Sequence, residues 1–315
     1  MDTVDKNIFQ KACLVQLSTS CWQGSRMLDA SVMEQIGNSE WLRGRKHLIS
    51  PETLNPIRAV ISRARKEMER QSLPFPVIGL TLVPKEQLSV IEECLTTHCN
   101  DYWHEVAKFE DQYEDARETA RRNLGDLFSD ADYPINIRSR FGFEWRYFVM
   151  DVPGKAGILT PELYEREKEK FMAMMEKTRD LAMAALRQEF SDHVNHIVER
   201  LTKSEDGSPK VFKNCMIQKI QDYLSIFDAR NLFGDEHLAE LVEKAKSVIG
   251  GVSPESIREN VWLKNSIAEG MGKIKQAIDQ AIIDLPRRKV RLADTSPKHS
   301  ANSTESAMSM AAAAS

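Results

Sequence analysis

Residues 88–127 read LSVIEECLTTHCNDYWHEVAKFEDQYEDARETARRNLGDL. Apolar or small side chains recur at Leu88, Ile91, Leu95, Cys99, Tyr102, Val106, Phe109, Tyr113, Ala116, Ala120, Leu124 and Leu127, always three or four residues apart. That heptad-like spacing predicts a long helix with one apolar stripe. At about 1.5 Å per residue it would run roughly 60 Å, longer than the core of a small domain, so the rod is expected to project.

A second stripe follows Thr160-Pro161-Glu162, with Tyr164, Phe171, Met175, Ala182, Leu186, Phe190, Val194, Ile197 and Leu201 on one face, up to the polar break at 204–208. Each stripe needs a partner, and an antiparallel coiled-coil hairpin over 84–203 buries both. Leu88, Leu95, Val106, Phe109, Tyr113, Phe171, Leu186 and Phe190 are the expected seam, and the hairpin is expected to be held by protein partners. Ser50-Pro51-Glu52, Thr160-Pro161-Glu162 and Ser253-Pro254-Glu255 share a helix-start logic: hydroxyl cap, proline at the first turn, carboxylate at the positive dipole end. Three shorter helices are expected between 209 and 286, on stripes beginning at Phe212, Leu238 and Ile257. The second stops at Gly250-Gly251 and the third before Pro286.

Strand signals are fewer. Ala12 to Cys21 alternates, Val77 to Val83 is a short apolar run, and within 135–150 Phe141, Phe143, Trp145 and Tyr147 share one parity. These pieces predict a small sheet at the base of the hairpin, its aromatic ladder serving as core. The expected class is α-rich α+β. Residues 1–83 form the N-terminal α/β part of the base, 84–203 the hairpin with an inserted β segment at 133–150, 209–286 the C-terminal helices, and 287–315 a disordered Ser/Thr/Ala-rich tail. Arg287, Arg288, Lys289 and Arg291 make a short basic tag ahead of that tail.

Among the 315 residues, 43 Lys and Arg meet 47 Asp and Glu, for a formal charge of -4. This balance excludes a generally basic nucleic-acid coat. The opening Met1-Asp-Thr-Val-Asp-Lys has no export pattern, and no window is apolar enough to span a membrane, so a cytoplasmic protein is expected. Five unpatterned cysteines in so long a chain fit reduced thiols better than a disulfide framework. Charge is unevenly spread. Residues 41–70 hold eight Lys and Arg against three Glu, and 101–132 hold ten acids against four bases. The two segments are expected to meet within the molecule or across an oligomer. Alternatively the 43–70 segment contacts phosphates through Arg58, Arg63, Arg65 and Lys66.

Metal-ligand patterns are thin. Glu189, His193 and His196 share a helix face and would make His193 and His196 the centre of a metal-dependent enzyme, yet they are not the HExxH arrangement. Cys94, His98, Cys99 and His104 lack paired CxxC spacing. No phosphate-cradling glycine loop, dinucleotide fingerprint or nucleophile elbow occurs. The expectation is therefore a non-catalytic protein without cofactor.

Leu14-Val-Gln-Leu, Ser20-Cys-Trp22-Gln-Gly24, Phe75-Pro-Val-Ile-Gly79 with Val83-Pro84, then Tyr133-Pro134 and Phe141-Gly-Phe-Glu-Trp145-Arg follow one another in an order that resembles a family of helical proteins of unknown function from bacteriophages and integrative elements. The resemblance covers roughly 10–230. It implies a scaffold or adaptor working beside a MoxR-type AAA ATPase and a von Willebrand factor A protein, and it brings no catalytic residue.

Overall fold

The computed structural model describes residues 8–37, 41–150, 159–201 and 214–283. In chain order come α1 (Ile8–Lys11), β1 (Ala12–Ser20), β2 (Ser25–Met27), α2 (Ala30–Ile36), β3 (Arg45–His47), α3 (Asn55–Gln71), β4 (Leu73–Pro74) and β5 (Leu80–Pro84). There follow α4 (Leu88–Asp111), α5 (Tyr113–Leu124), β6 (Gly142–Phe148), α6 (Pro161–Leu201), α7 (Asn214–Arg230), α8 (Glu236–Ile249), α9 (Pro254–Glu259) and α10 (Val261–Ile283). The protein is mostly helical with a small antiparallel sheet, the α-rich α+β class. The expected tail, the basic tag before it and the break at 204–208 lie outside the described residues.

All three expected strand segments join one sheet of order β4-β5-β1-β6. Its pairings are antiparallel, with Leu14 of β1 opposite Leu82 on one side and Phe148 on the other. Successive strand residues point to opposite faces, and here both faces are apolar. Ala12, Leu14 and Leu82 enter one core, while Val15, Val83 and Phe143 enter the other. Phe141 and Phe143 are buried as the aromatic ladder predicts and Trp145 packs partly against them, but Tyr147 at the far end is exposed.

This two-faced sheet corrects the hairpin. Both stripes are buried, but not against each other. The α4 residues Ile91, Leu95, Tyr102, Val106 and Phe109 share a core with α3 and one sheet face. The α6 residues Met175, Ala182, Leu186, Phe190, Val194 and Ile197 share the other core with α7, α8 and α10. Leu88 and Phe171 pack partly against those cores, and Tyr113 is buried. The seam is therefore core rather than a surface that partners could hold. Nor is 88–127 a single rod: α4 stops at Asp111, α5 begins at Tyr113, and Gly125 ends the run with φ 53°. By contrast α6 runs unbroken through all 41 of its residues, and its first buried residue is Met175, so its N-terminal part extends past the core.

The helix-start signals differ in detail. Thr160 Oγ1 accepts from the Leu163 amide at 3.3 Å, and Ser253 Oγ from Ser256 at 3.1 Å. Ser50 makes no side-chain cap, and its proline opens a 3-10 turn that feeds α3. The third C-terminal helix is divided at Asn260, whose Oδ1 caps the Leu263 amide of α10. Beside the core that α6 shares with α7, α8 and α10, a buried Asp235–Arg187 pair ties three helices together. Arg187 Nε and Nη2 donate to both Asp235 carboxylate oxygens at 2.6 and 2.9 Å, Arg187 Nη1 donates to the Ala281 carbonyl at 2.9 Å, and Asp235 also caps the Leu238 amide.

Candidate functional site

Two arrangements of charge stand out, both built on α3. Its buried residues Ile57, Val60, Ala64 and Met68 fall at helical spacing, which turns Arg58, Arg63, Arg65 and Lys66 outward. Arg58 and Arg65 lie two helical turns apart on one face, along a shallow groove of about 600 Å³ that Ile61, Ser62, Lys66 and Glu69 complete.

The end of β1 and the turn after it hold these arginines in place. Arg65 Nη2 donates to Thr19 Oγ1 at 2.7 Å, and Arg58 Nη2 donates to the Gln23 carbonyl at 3.4 Å. Arg45 of the two-stranded β2–β3 ribbon joins them, donating to Gln23 Oε1 at 2.8 Å. Gly24 closes this corner. Its φ is +62°, its carbonyl accepts from the Leu48 amide, and a Cβ there would come within 2.9 Å of Ile49, so only glycine fits without strain. The result is a row of Arg45, Arg58 and Arg65 anchored to neutral oxygens. Arg63 and Lys66 have no ion-pair partner among the described residues.

The expected meeting of the basic and acidic segments is narrow. Lys46 and Arg26 both reach Asp132 at 2.6 Å, with the Lys46 and Asp132 side chains nearly buried. The other acids of 101–132 that form ion pairs do so close to home or with Arg138: Glu105 with Lys108, Glu114 and Asp130 with Arg117, Glu118 and Asp130 with Arg121, Glu110 with Arg138. Arg58, Arg63 and Arg65, facing out from α3, have no ion-pair partner among the described residues.

The second arrangement is a cleft of about 730 Å³ between α3, α4, α6 and α7. Arg70 bridges its walls, meeting Glu67 on its own helix and Asp222 of α7 at 3.1 Å. Behind the cleft lies Arg230, 3% exposed, with Nη2 donating to the Ser72 carbonyl at 3.1 Å and paired with Glu189 at 2.8 Å. Tyr223, Phe227 and Arg230 at i, i+4 and i+7 share the buried face of α7, so this arginine was readable as an inward charge, though its partners were not.

His193 lines the cleft, its Nε2 4.0 Å from Glu189 Oε1 and its ring 5.6 Å from that of Tyr223. His196 faces solvent. Cys94, His98, Cys99 and His104 diverge likewise: His98 enters the cleft, the Cys99 thiol turns toward the Phe143 carbonyl, and His104 is exposed. Among the described residues no three His, Cys, Asp or Glu side chains are placed to hold a metal ion. Cys13, Cys21, Cys94 and Cys99 are free, and burial pushes all four thiols up.

Burial lowers the His193 pKa from its ordinary 6.5, outweighing the opposing pull of Glu189 and Asp192, while Lys219 and His196 lower it further. The unfolded chain therefore takes a proton before the folded one does, and stability should be lost as pH falls from about 6.5 toward the lower folded value. Thermal melts of wild type and His193→Gln across that window should differ in slope, the variant being flatter. Parallel curves would refute the assignment.

No helix among the described residues is long and apolar enough to cross a membrane. The model of a family described as "Protein of unknown function (DUF3150)" matches residues 9–211. That span takes in the sheet, the ribbon and α3 to α6, and leaves all but the α3, α4 and α6 walls of the cleft outside it. No curated protein and no solved structure matches the chain.

Proposed function

The chain belongs to this family of unknown function, whose description carries no activity, and from its surface we propose a non-catalytic nucleic-acid-binding accessory protein. The phosphate backbone lies along the outer face of α3 and the β2–β3 ribbon. One observation carries the reading: Arg45, Arg58 and Arg65 form an exposed row whose hydrogen bonds, among the described residues, go to neutral groups, with Arg63 and Lys66 beside it. Cations already neutralised by carboxylates have little to offer a phosphate, whereas cations held in place by hydroxyl and carbonyl oxygens keep their charge. Binding of this kind reads the backbone rather than base edges and is sequence-independent.

Fluorescence anisotropy with a labelled oligonucleotide at increasing salt tests it. With the row of Arg45, Arg58 and Arg65 on the phosphates of a single strand, log affinity should fall against log salt with a slope of about -2. No binding at low salt, or an affinity that salt does not change, would sink the proposal.

A protein adaptor is the second reading. It is supported by the exposed end of edge strand β6, where Tyr147, Phe148 and the following Val149 are 42%, 39% and 69% accessible. Unpaired strand edges of this kind accept a strand from another chain. The resemblance to bacteriophage and integrative-element proteins supports a setting in the cytoplasm of a bacterial host, with a MoxR-type AAA ATPase and a von Willebrand factor A protein as the partners. In this reading β6 takes over the contact role expected of the hairpin.

A further inference from the structure

The cleft between α3, α4, α6 and α7 is distinct from the groove on the outer face of α3, although Lys66 and Glu69 border both. Its volume of about 730 Å³ falls within the range of small-ligand sites, roughly 300–1,000 Å³. Its charges sort into spent and unspent. Arg70 is taken up by Glu67 and Asp222, and Glu189 by Arg230. Arg63 and Lys66 from α3 and Lys219 from α7 also line the cleft, and they have no ion-pair partner among the described residues. Against these three cations Glu69 is the one lining carboxylate without an ion pair among the described residues.

Unsatisfied groups lie at the same place. His98 Nδ1, on the α4 wall, is buried with no hydrogen-bond partner. So are Nε and Nη1 of Arg230, which sits behind the lining residues Glu189 and Tyr223. A buried polar group left unpaired is costly, and such groups in native proteins generally have a partner to meet. Unpaired cations from two facing helices, with a second charge, Arg230, buried behind one wall, fit an anion that spans the cleft.

We infer that this cleft binds a small phosphate monoester of mononucleotide size, with Arg63, Lys66 and Lys219 meeting the phosphate and His98 lining the place of the organic part. The site stands independently of nucleic-acid binding on the outer face of α3. It draws on a residue of α7, which lies beyond the family match.

Isothermal titration of the full chain at low salt, with adenosine 5′-monophosphate, inorganic phosphate and adenosine as probes, tests it. The monophosphate should saturate one site, and adenosine should not bind. Lys219 is exposed, so Lys219→Glu should fold, with an unchanged melting temperature. It should weaken the monophosphate about tenfold or more, the loss of one charge-assisted contact and its replacement by repulsion. His98→Ala should weaken the monophosphate while sparing inorganic phosphate. Arg58→Glu, outside the cleft, should leave monophosphate binding intact while weakening oligonucleotide binding, so that failure of either site is seen separately. Inorganic phosphate binding with the same dependence on Lys219 supports the phosphate assignment. Neither anion binding at millimolar concentration, adenosine binding as well as its monophosphate, or full affinity in folded Lys219→Glu would each overturn it.

Discussion

Replacing Arg58 and Arg65 together by glutamate should weaken oligonucleotide binding on the order of a hundredfold at low salt, while the fold persists. Both side chains are exposed and neither has a carboxylate partner among the described residues, so no buried charge is left behind. The substitution removes two phosphate contacts and places two negative charges on the same groove, and both effects oppose a polyanion. The salt slope should shrink in magnitude by about 1.4 for a single strand or about 1.8 for a duplex, two contacts at roughly 0.7 or 0.9 each. Anisotropy titrations at several salt concentrations measure affinity and slope in one series. Wild-type affinity in the folded double variant would show that the row touches no phosphate.

Removing Asp235 should have the largest effect on stability. Its carboxylate, with a side chain 2% accessible, holds both arms of Arg187 and caps the first turn of α8. Asp235→Ala leaves a largely buried guanidinium without its counter-charge, a loss of about 3–5 kcal/mol, and forfeits a helix cap typically worth about 1 kcal/mol more. Urea denaturation of the variant should show a midpoint far below wild type. The double change Asp235→Leu with Arg187→Met should recover much of the difference, because an apolar pair of similar volume carries no desolvation cost. A single variant within about 1 kcal/mol of wild type would mean that the three helices do not depend on this pair.

The residues that make both sites are ordinary ones in sequence. Arg58, Arg63, Arg65 and Lys66 were legible as a basic cluster because they crowd one helix. That they find no ion-pair partner among the described residues was not legible, since the acidic segment at 101–132 has enough charge to neutralise them and instead pairs mostly within itself or with Arg138. Arg45 could not be linked to Arg58 and Arg65 by spacing; Gln23 joins the first two and nearby Thr19 takes the third. The cleft was invisible for a similar reason: Arg63, His98, His193 and Lys219 come from four helices spread across the chain. His193 drew attention as a metal ligand with His196, but three residues along a helix is about 300° of rotation, and in this packing one ring faces the cleft and the other water.

Sequence by itself determined where the long helices and the main strands lie, which face of each goes inward, and that Leu88, Leu95, Val106, Leu186 and Phe190 require cover. Those properties depend on neighbours three or four positions away along a helix, or two along a strand, and so are written locally. Tertiary structure alone decided what supplies the cover. A stripe of apolar residues loses water equally well against another helix or against a sheet face, and the hydrophobic effect has no preference of direction between them. β1, with Leu14 on one side and Val15 on the other, offered two faces, and each long helix packed on the side away from the other.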